Sequence, residues 1–299
     1  MRNQFQTILL IGVAFSLSAC GWQQTSRVSA PDLLTTTTIL ADITRNVAGD
    51  RLVVESLLPV ESDPHSYQPT PQDIARLSES KVLIVNGAEY EHFLESFIEN
   101  NEGERTLIEA SAGLTLRTDT ESEHGVDPHL WLDPNNIIVY TENIRDGLIR
   151  FDPDGAEIYQ SNASAYIEQL TELDAWIEGQ VALVDPQRRV LVTNHEAFGY
   201  FAERYGFTLV GTIVQSFSSD ASPSAQQMAA LIDQIKHAEA PAIFLDASDS
   251  PALAQQIAAE TGVEVITDLY VESLTTDGPA ATYIDMMKHN VTKIVKALQ

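Results

Sequence analysis

The feature that most constrains the fold is an uninterrupted helical pattern in the middle of the chain. Asp152 can cap a helix there, and Pro153 suits its first position. Apolar residues then recur at helical spacing: Ile158, Ala165, Ile167, Leu170, Leu173, Ile177, Val181 and Val184. No glycine or proline intervenes from Ala156 to Glu178. Roughly 28 residues at ~1.5 Å each make a rod of about 40 Å. That is longer than one small lobe needs, so the pattern predicts a connector over residues 152–184.

On both sides of the rod, strand-like and helix-like stretches alternate. Before it, strands are expected at Leu34–Leu40, Val53–Leu58, Val82–Val85 and Thr106–Glu109. Helices are expected at Ala41–Val47, Pro71–Leu77 and Glu89–Ile98. After it, strands are expected at Val190–Thr193, Phe207–Val214, Ala242–Leu245 and Val263–Thr267, and a helix at Ala280–Leu298 closes the chain. Further helices run through Ala197–Tyr205, Ser222–His237 and Ser250–Thr261. Such alternation implies an α/β protein with mostly parallel sheets and right-handed crossovers. Ligands gather at the carboxyl ends of strands in such sheets.

The N-terminus reads differently. Arg2 precedes an apolar run, Ile8 to Leu17, too short for a stable membrane span and laid out as a secretory signal over residues 1–19. The run ends in Leu17-Ser18-Ala19-Cys20, which resembles the bacterial lipobox, and the resemblance implies diacylglycerol on Cys20. Cys20 is the only cysteine, so an internal disulfide is excluded. The polar stretch that follows, within residues 20–31, predicts a flexible tether. The formal charge of -26 argues against a nucleic-acid partner, since phosphate binding needs a basic footprint.

One tripeptide occurs twice, as Asp63-Pro64-His65 and Asp127-Pro128-His129. Proline fixes its own φ and pushes the preceding residue out of helical geometry, so each histidine sits on a stiff loop. A third histidine, His195, lies just past a predicted strand in Asn194-His195-Glu196. The other four have blander settings: His92 on a polar helix face, His237 near a helix end, His289 in the last helix and His124 in an acidic loop. Three imidazoles suit zinc, copper, nickel or iron better than calcium or magnesium. A closed tetrahedral site needs a fourth donor, and Glu272, Asp268 and Asp246 all lie beyond predicted strand ends. The hydrolase signatures H-E-x-x-H and Gly-x-Ser-x-Gly are absent, as is a Gly-rich phosphate loop.

Taken together, several motifs resemble one family. They are Asp63-Pro64-His65-Ser66-Tyr67-Gln68-Pro69-Thr70-Pro71-Gln72-Asp73, Asn86-Gly87, and Asp127-Pro128-His129-Leu130-Trp131-Leu132-Asp133-Pro134. Thr193-Asn194-His195-Glu196-Ala197-Phe198-Gly199-Tyr200-Phe201, Tyr205-Gly206, Glu260-Thr261-Gly262-Val263 and Thr282-Tyr283 continue the match. The chain resembles the zinc/manganese solute-binding lipoproteins of metal ABC transporters, the cluster A-I, TroA-like group. The resemblance implies two Rossmann-like α/β lobes, residues 32–151 and 185–299, joined by one long rigid helix with the metal site between them. It implies His65, His129 and His195 as ligands. The family's fourth ligand is usually an aspartate, and Glu272 stands at that position in Val271-Glu272-Ser273-Leu274, one methylene longer; Asp268 is the fallback.

The expected function is extracytoplasmic capture of Zn2+, with Mn2+ as the alternative, and delivery to a membrane permease. The expected protein is a monomer anchored by lipid to the outer face of the cytoplasmic membrane. Competing readings are a metal-dependent hydrolase and a surface adhesin. Asp63, Asp127 and Glu196 are expected either to orient the imidazoles or to cap helices.

Overall fold

The computed structural model describes residues 33–94, 97, 105–118, 125–219 and 222–299. The expected signal, Cys20, the tether and His124 lie outside the described residues.

Two four-stranded parallel sheets form the frame. The first holds β1 (Leu33–Thr35), β2 (Val54–Ser56), β3 (Val82–Val85) and β4 (Thr106–Glu109), in the order β2-β1-β3-β4. The second holds β5 (Val190–Thr193), β6 (Thr208–Thr212), β7 (Ala242–Asp246) and β8 (Glu264–Leu269), in the order β6-β5-β7-β8. The two sheets therefore repeat one topology, and every strand pair is parallel.

The helices are α1 (Thr38–Ala48), α2 (Pro71–Glu79), α3 (Pro134–Phe151), α4 (Ala156–Val181), α5 (Gly199–Tyr205), α6 (Ala225–Ala238), α7 (Ala252–Thr261) and α8 (Tyr283–Leu298). Helix α4 is the rod between the sheets: 26 residues, or about 39 Å. It packs on α1 and α3 from the first half and on α8 from the second.

Strand side chains alternate faces, and the core follows that alternation. Leu33, Val82 and Ile84 of the first sheet join Leu170 and Ile177 of α4, and Leu191 and Phe244 of the second sheet, in one continuous apolar cluster. The opposite faces are closed separately: Leu34 and Leu83 pack with Leu77 of α2, and Val192 and Ile243 pack with Leu231 of α6 and Ile257 of α7.

Several predicted boundaries shift. The strand expected over Leu34–Leu40 ends at Thr35, because the Thr37 hydroxyl accepts the Leu40 N–H and starts α1 there. Asp152 does not cap the rod. A 3-10 turn, Pro153–Gly155, precedes α4, and the Asp152 carboxylate instead takes two hydrogen bonds from Arg51 and one from Tyr159. The rod ends at Val181, three residues before the expected limit of 184. The helix expected over Glu89–Ile98 is a turn and a short 3-10 segment, His92–Leu94, as far as Leu94; most of the rest lies outside the described residues.

Candidate metal centre

Each candidate donor follows a strand or a rigid turn. His65 comes after β2, His195 two residues after β5, and Glu272 three residues after β8. His129 precedes the Asp133-capped start of α3. The carboxyl edges of both sheets thus feed one locus, as expected of parallel sheets.

The two Asp-Pro-His segments fold alike. Asp63 Oδ1 accepts the His65 backbone N–H at 2.9 Å, and Asp127 Oδ1 accepts that of His129 at 3.0 Å. Each is an Asx turn, which the fixed proline φ pre-organises. Asp127 does more: its Oδ1 also lies 2.9 Å from His129 Nδ1. An ionised carboxylate only accepts, so Nδ1 donates and Nε2 is the nitrogen that faces the other donors.

The four donors converge. His129 Nε2 and His195 Nε2 are 3.3 Å apart, and Glu272 Oε1 lies 3.2 Å from the first and 3.1 Å from the second. His65 Nε2 lies 3.7 Å from the same oxygen and has no hydrogen-bond partner, although it is buried. One atom from each of the four lies within 4.8 Å of all the others. A tetrahedron with zinc–nitrogen bonds of about 2.05 Å has edges of about 3.3 Å. The cluster therefore has the size and donor chemistry of a four-coordinate transition-metal site.

Charge supports the same reading. Burial alone would raise the Glu272 carboxyl, but the three imidazoles, His129 foremost, hold it well below the usual range. Burial alone would lower His129, but Glu272 and Asp127 raise it to about 9. A buried carboxylate thus sits beside an imidazole whose extra proton a cation can replace as its counter-charge.

The Glu272 loop is held from both halves. Asp246, at the end of β7, accepts the Val271 N–H and, at 3.3 Å, the Glu272 N–H. From the first half, Trp131 Nε1 donates to the Val271 carbonyl at 2.8 Å and Tyr90 Oη donates to Glu272 Oε2 at 3.0 Å. Thr38 Oγ1 accepts the Leu274 N–H at 2.8 Å. Sequence reasoning missed Tyr90, Trp131 and Thr38 in these roles, because only the packing of the two halves brings them to the loop.

The remaining candidates separate from the cluster. Asp268 pairs with Lys293, and His289 Nε2 lies 2.8 Å from the Asp268 carbonyl. Asp246 serves the loop backbone and is not a member of the donor group. Asp63 reaches across to Ser219, whose hydroxyl donates to Oδ2 at 2.7 Å. Glu196 lines a different cavity, with Arg117 and Gln227.

Comparison with known proteins agrees with this geometry. A profile of the family described as "Zinc-uptake complex component A periplasmic" matches residues 33–297. The manganese-binding lipoprotein MntA of Halalkalibacterium halodurans is 34% identical over 302 residues, covering 100% of this chain and 99% of its own. The iron-binding protein YfeA of Yersinia pestis is 35% identical, covering 88% and 85%. Among solved structures, the periplasmic zinc-binding protein TroA of Treponema pallidum superposes with a TM-score of 0.83 at 27% identity, over 90% of this chain and 99% of that one. A manganese-bound periplasmic metal-binding protein from Candidatus Liberibacter asiaticus gives 0.79 at 31%, over 89% and 99%. The chain belongs to this family of periplasmic metal-binding proteins, the substrate-binding components of metal ABC transporters.

Proposed function

We propose that the protein captures Zn2+ outside the cytoplasmic membrane, through His65, His129, His195 and Glu272, and hands it to an ABC permease. The observation that carries this is the convergence of three imidazole nitrogens on a single carboxylate oxygen, at 3.1, 3.2 and 3.7 Å. Three nitrogens and one carboxylate hold zinc more tightly than manganese by intrinsic affinity. Four protein donors leave no open position for a catalytic water, which disfavours a hydrolase. His65 and His129 come from the half over residues 32–151, His195 and Glu272 from the half over 185–299, so the ion ties the halves together.

Manganese is the second reading, favoured by the similarity to MntA of H. halodurans. The protein in this proposal is a monomer, lipidated at Cys20 and tethered by residues 20–31. Several relatives are lipoproteins by name, and no helix among the described residues is long and apolar enough to cross a membrane.

Metal analysis of the purified protein tests the proposal. Wild type is expected to hold stoichiometric zinc, and to keep it in competition with equal manganese. His129→Ala is expected to hold neither. Wild type that emerges empty from a zinc-saturated solution overturns the reading; wild type that exchanges zinc for manganese at equal concentrations selects the second one.

A further inference from the structure

Three of the four donors are closed off from solvent: the side chains of His129, His195 and Glu272 are 0%, 4% and 3% exposed. His65 is the exception at 10%. It also lines a cavity of about 260 Å³ that opens between the halves. The walls of that cavity are aromatic, with Tyr90 and Phe93 on one side and Phe217 on the other. Two charged or chargeable side chains, Glu89 and His92, stand exposed at its rim.

The backbone puts Glu89 there at some cost. Gly87, Ala88 and Glu89 have φ of 81°, 53° and 60°, three consecutive residues in the left-handed region, two of them not glycine. The Glu91 carboxylate pins this turn by accepting the N–H groups of Asn86 and Gly87. Strain of this kind persists only where surrounding contacts over-determine it. The same turn delivers Tyr90 to Glu272 and Glu89 to the cavity mouth.

We propose that this cavity is the ion's way in and out, with His65 as the first buried donor met, and Glu89 and His92 as a transient docking station for the divalent cation at the rim. A carboxylate and an imidazole there replace part of the ion's hydration before it passes the apolar walls. The station lies on the path and outside the final coordination, so it governs how fast the ion moves and not how tightly it rests. This proposal rests on the metal-capture reading above.

Stopped-flow kinetics with zinc on the full-length protein test it. The variant is Glu89→Gln with His92→Gln, which keeps side-chain size at two exposed positions. Association is measured directly, and dissociation is measured into excess chelator. The expected result is that both rates fall by the same factor, about fivefold or more. A fall in association with unchanged dissociation overturns the proposal, because it is the signature of lost surface charge alone. Unchanged rates also overturn it, as does a collapse of equilibrium affinity, which would put the pair inside the final site. Failure of wild type to bind zinc at all instead overturns the metal-capture reading, and this proposal with it.

Discussion

Asp127 and His129 are joined twice: one carboxylate oxygen accepts both the backbone N–H, at 3.0 Å, and Nδ1, at 2.9 Å, of the same histidine. The first bond sets the loop and the second sets the tautomer. Asp127→Asn keeps an acceptor for the loop but loses the negative charge that polarises the ring. Zinc affinity is expected to fall about 10- to 100-fold, with little change in the circular dichroism spectrum. Competition against a chromophoric chelator measures it.

Glu272 supplies the only negative charge among the four proposed donors. Glu272→Gln is expected to weaken zinc binding more than ~100-fold, since a neutral amide replaces the charged donor. Glu272→Asp is expected to weaken it by less than ~10-fold, because the charge survives while the reach to Tyr90 Oη is shortened. Calorimetry on the two variants distinguishes charge from length, and equal losses would contradict this account.

Metal uptake is expected to expel a proton. His129 is raised to about 9, after its neighbours overcome the opposing effect of burial, so it is protonated in the empty protein at neutral pH. A protonated Nε2 carries no lone pair for the metal. Affinity is therefore expected to fall about tenfold for each unit of pH below 9, from this group alone. Titrations at two pH values in buffers of different ionisation enthalpy give both the slope and the proton count. A pH-independent affinity between about 6 and 8 contradicts the assignment.

Glu91 makes a separate prediction about stability. Burial raises its carboxyl to about 7, against the lowering effect of the Asn86, Thr36 and Gly87 hydrogen bonds. The unfolded value is about 4.3. Between these two values the native state binds the extra proton, so this group's effect on stability is most favourable at low pH and is lost as pH rises through 7. The full swing is on the order of 4 kcal/mol. Glu91→Gln cannot ionise and is expected to flatten the slope of melting temperature from about pH 5 to 7.5, measured on metal-free protein.

Zinc is expected to raise the melting temperature of wild type. An excess of 100 times the dissociation constant adds about 2.7 kcal/mol. His129→Ala is expected to show no such rise. Differential scanning calorimetry with and without zinc checks both.

Much of the site was legible in the sequence because it was built from local rules. The two Asp-Pro-His turns, the Asp133 cap and the strand-end position of His195 depend on residues within a few positions of each other. Glu272 was one of three strand-end acids until family position singled it out, and its grouping with the histidines comes from the fold. Tyr90 gave no signal, and Trp131 and Asp246 stood out only in other roles, as part of a motif and as a candidate donor. Their partners lie 182, 140 and 26 residues away, respectively, and nothing local marks such pairings. The four threonines at residues 35–38 misled because β-branched residues favour strands, while a threonine hydroxyl also caps helices; here the cap won. Asp152 misled in the opposite sense, since an arginine 101 residues away claimed its carboxylate.

The apolar cluster that runs from the first sheet through α4 into the second has one further consequence. Swinging the halves apart by enough to bare about 400 Å² of it would cost ~10 kcal/mol, as much as the net stability of a typical domain. A wide swing of the halves is therefore disfavoured, whether the site is full or empty. Under the proposed function, a docking permease would then have to tell loaded carriers from spent ones by the small patch of surface around the mouth of the cleft and not by their outline.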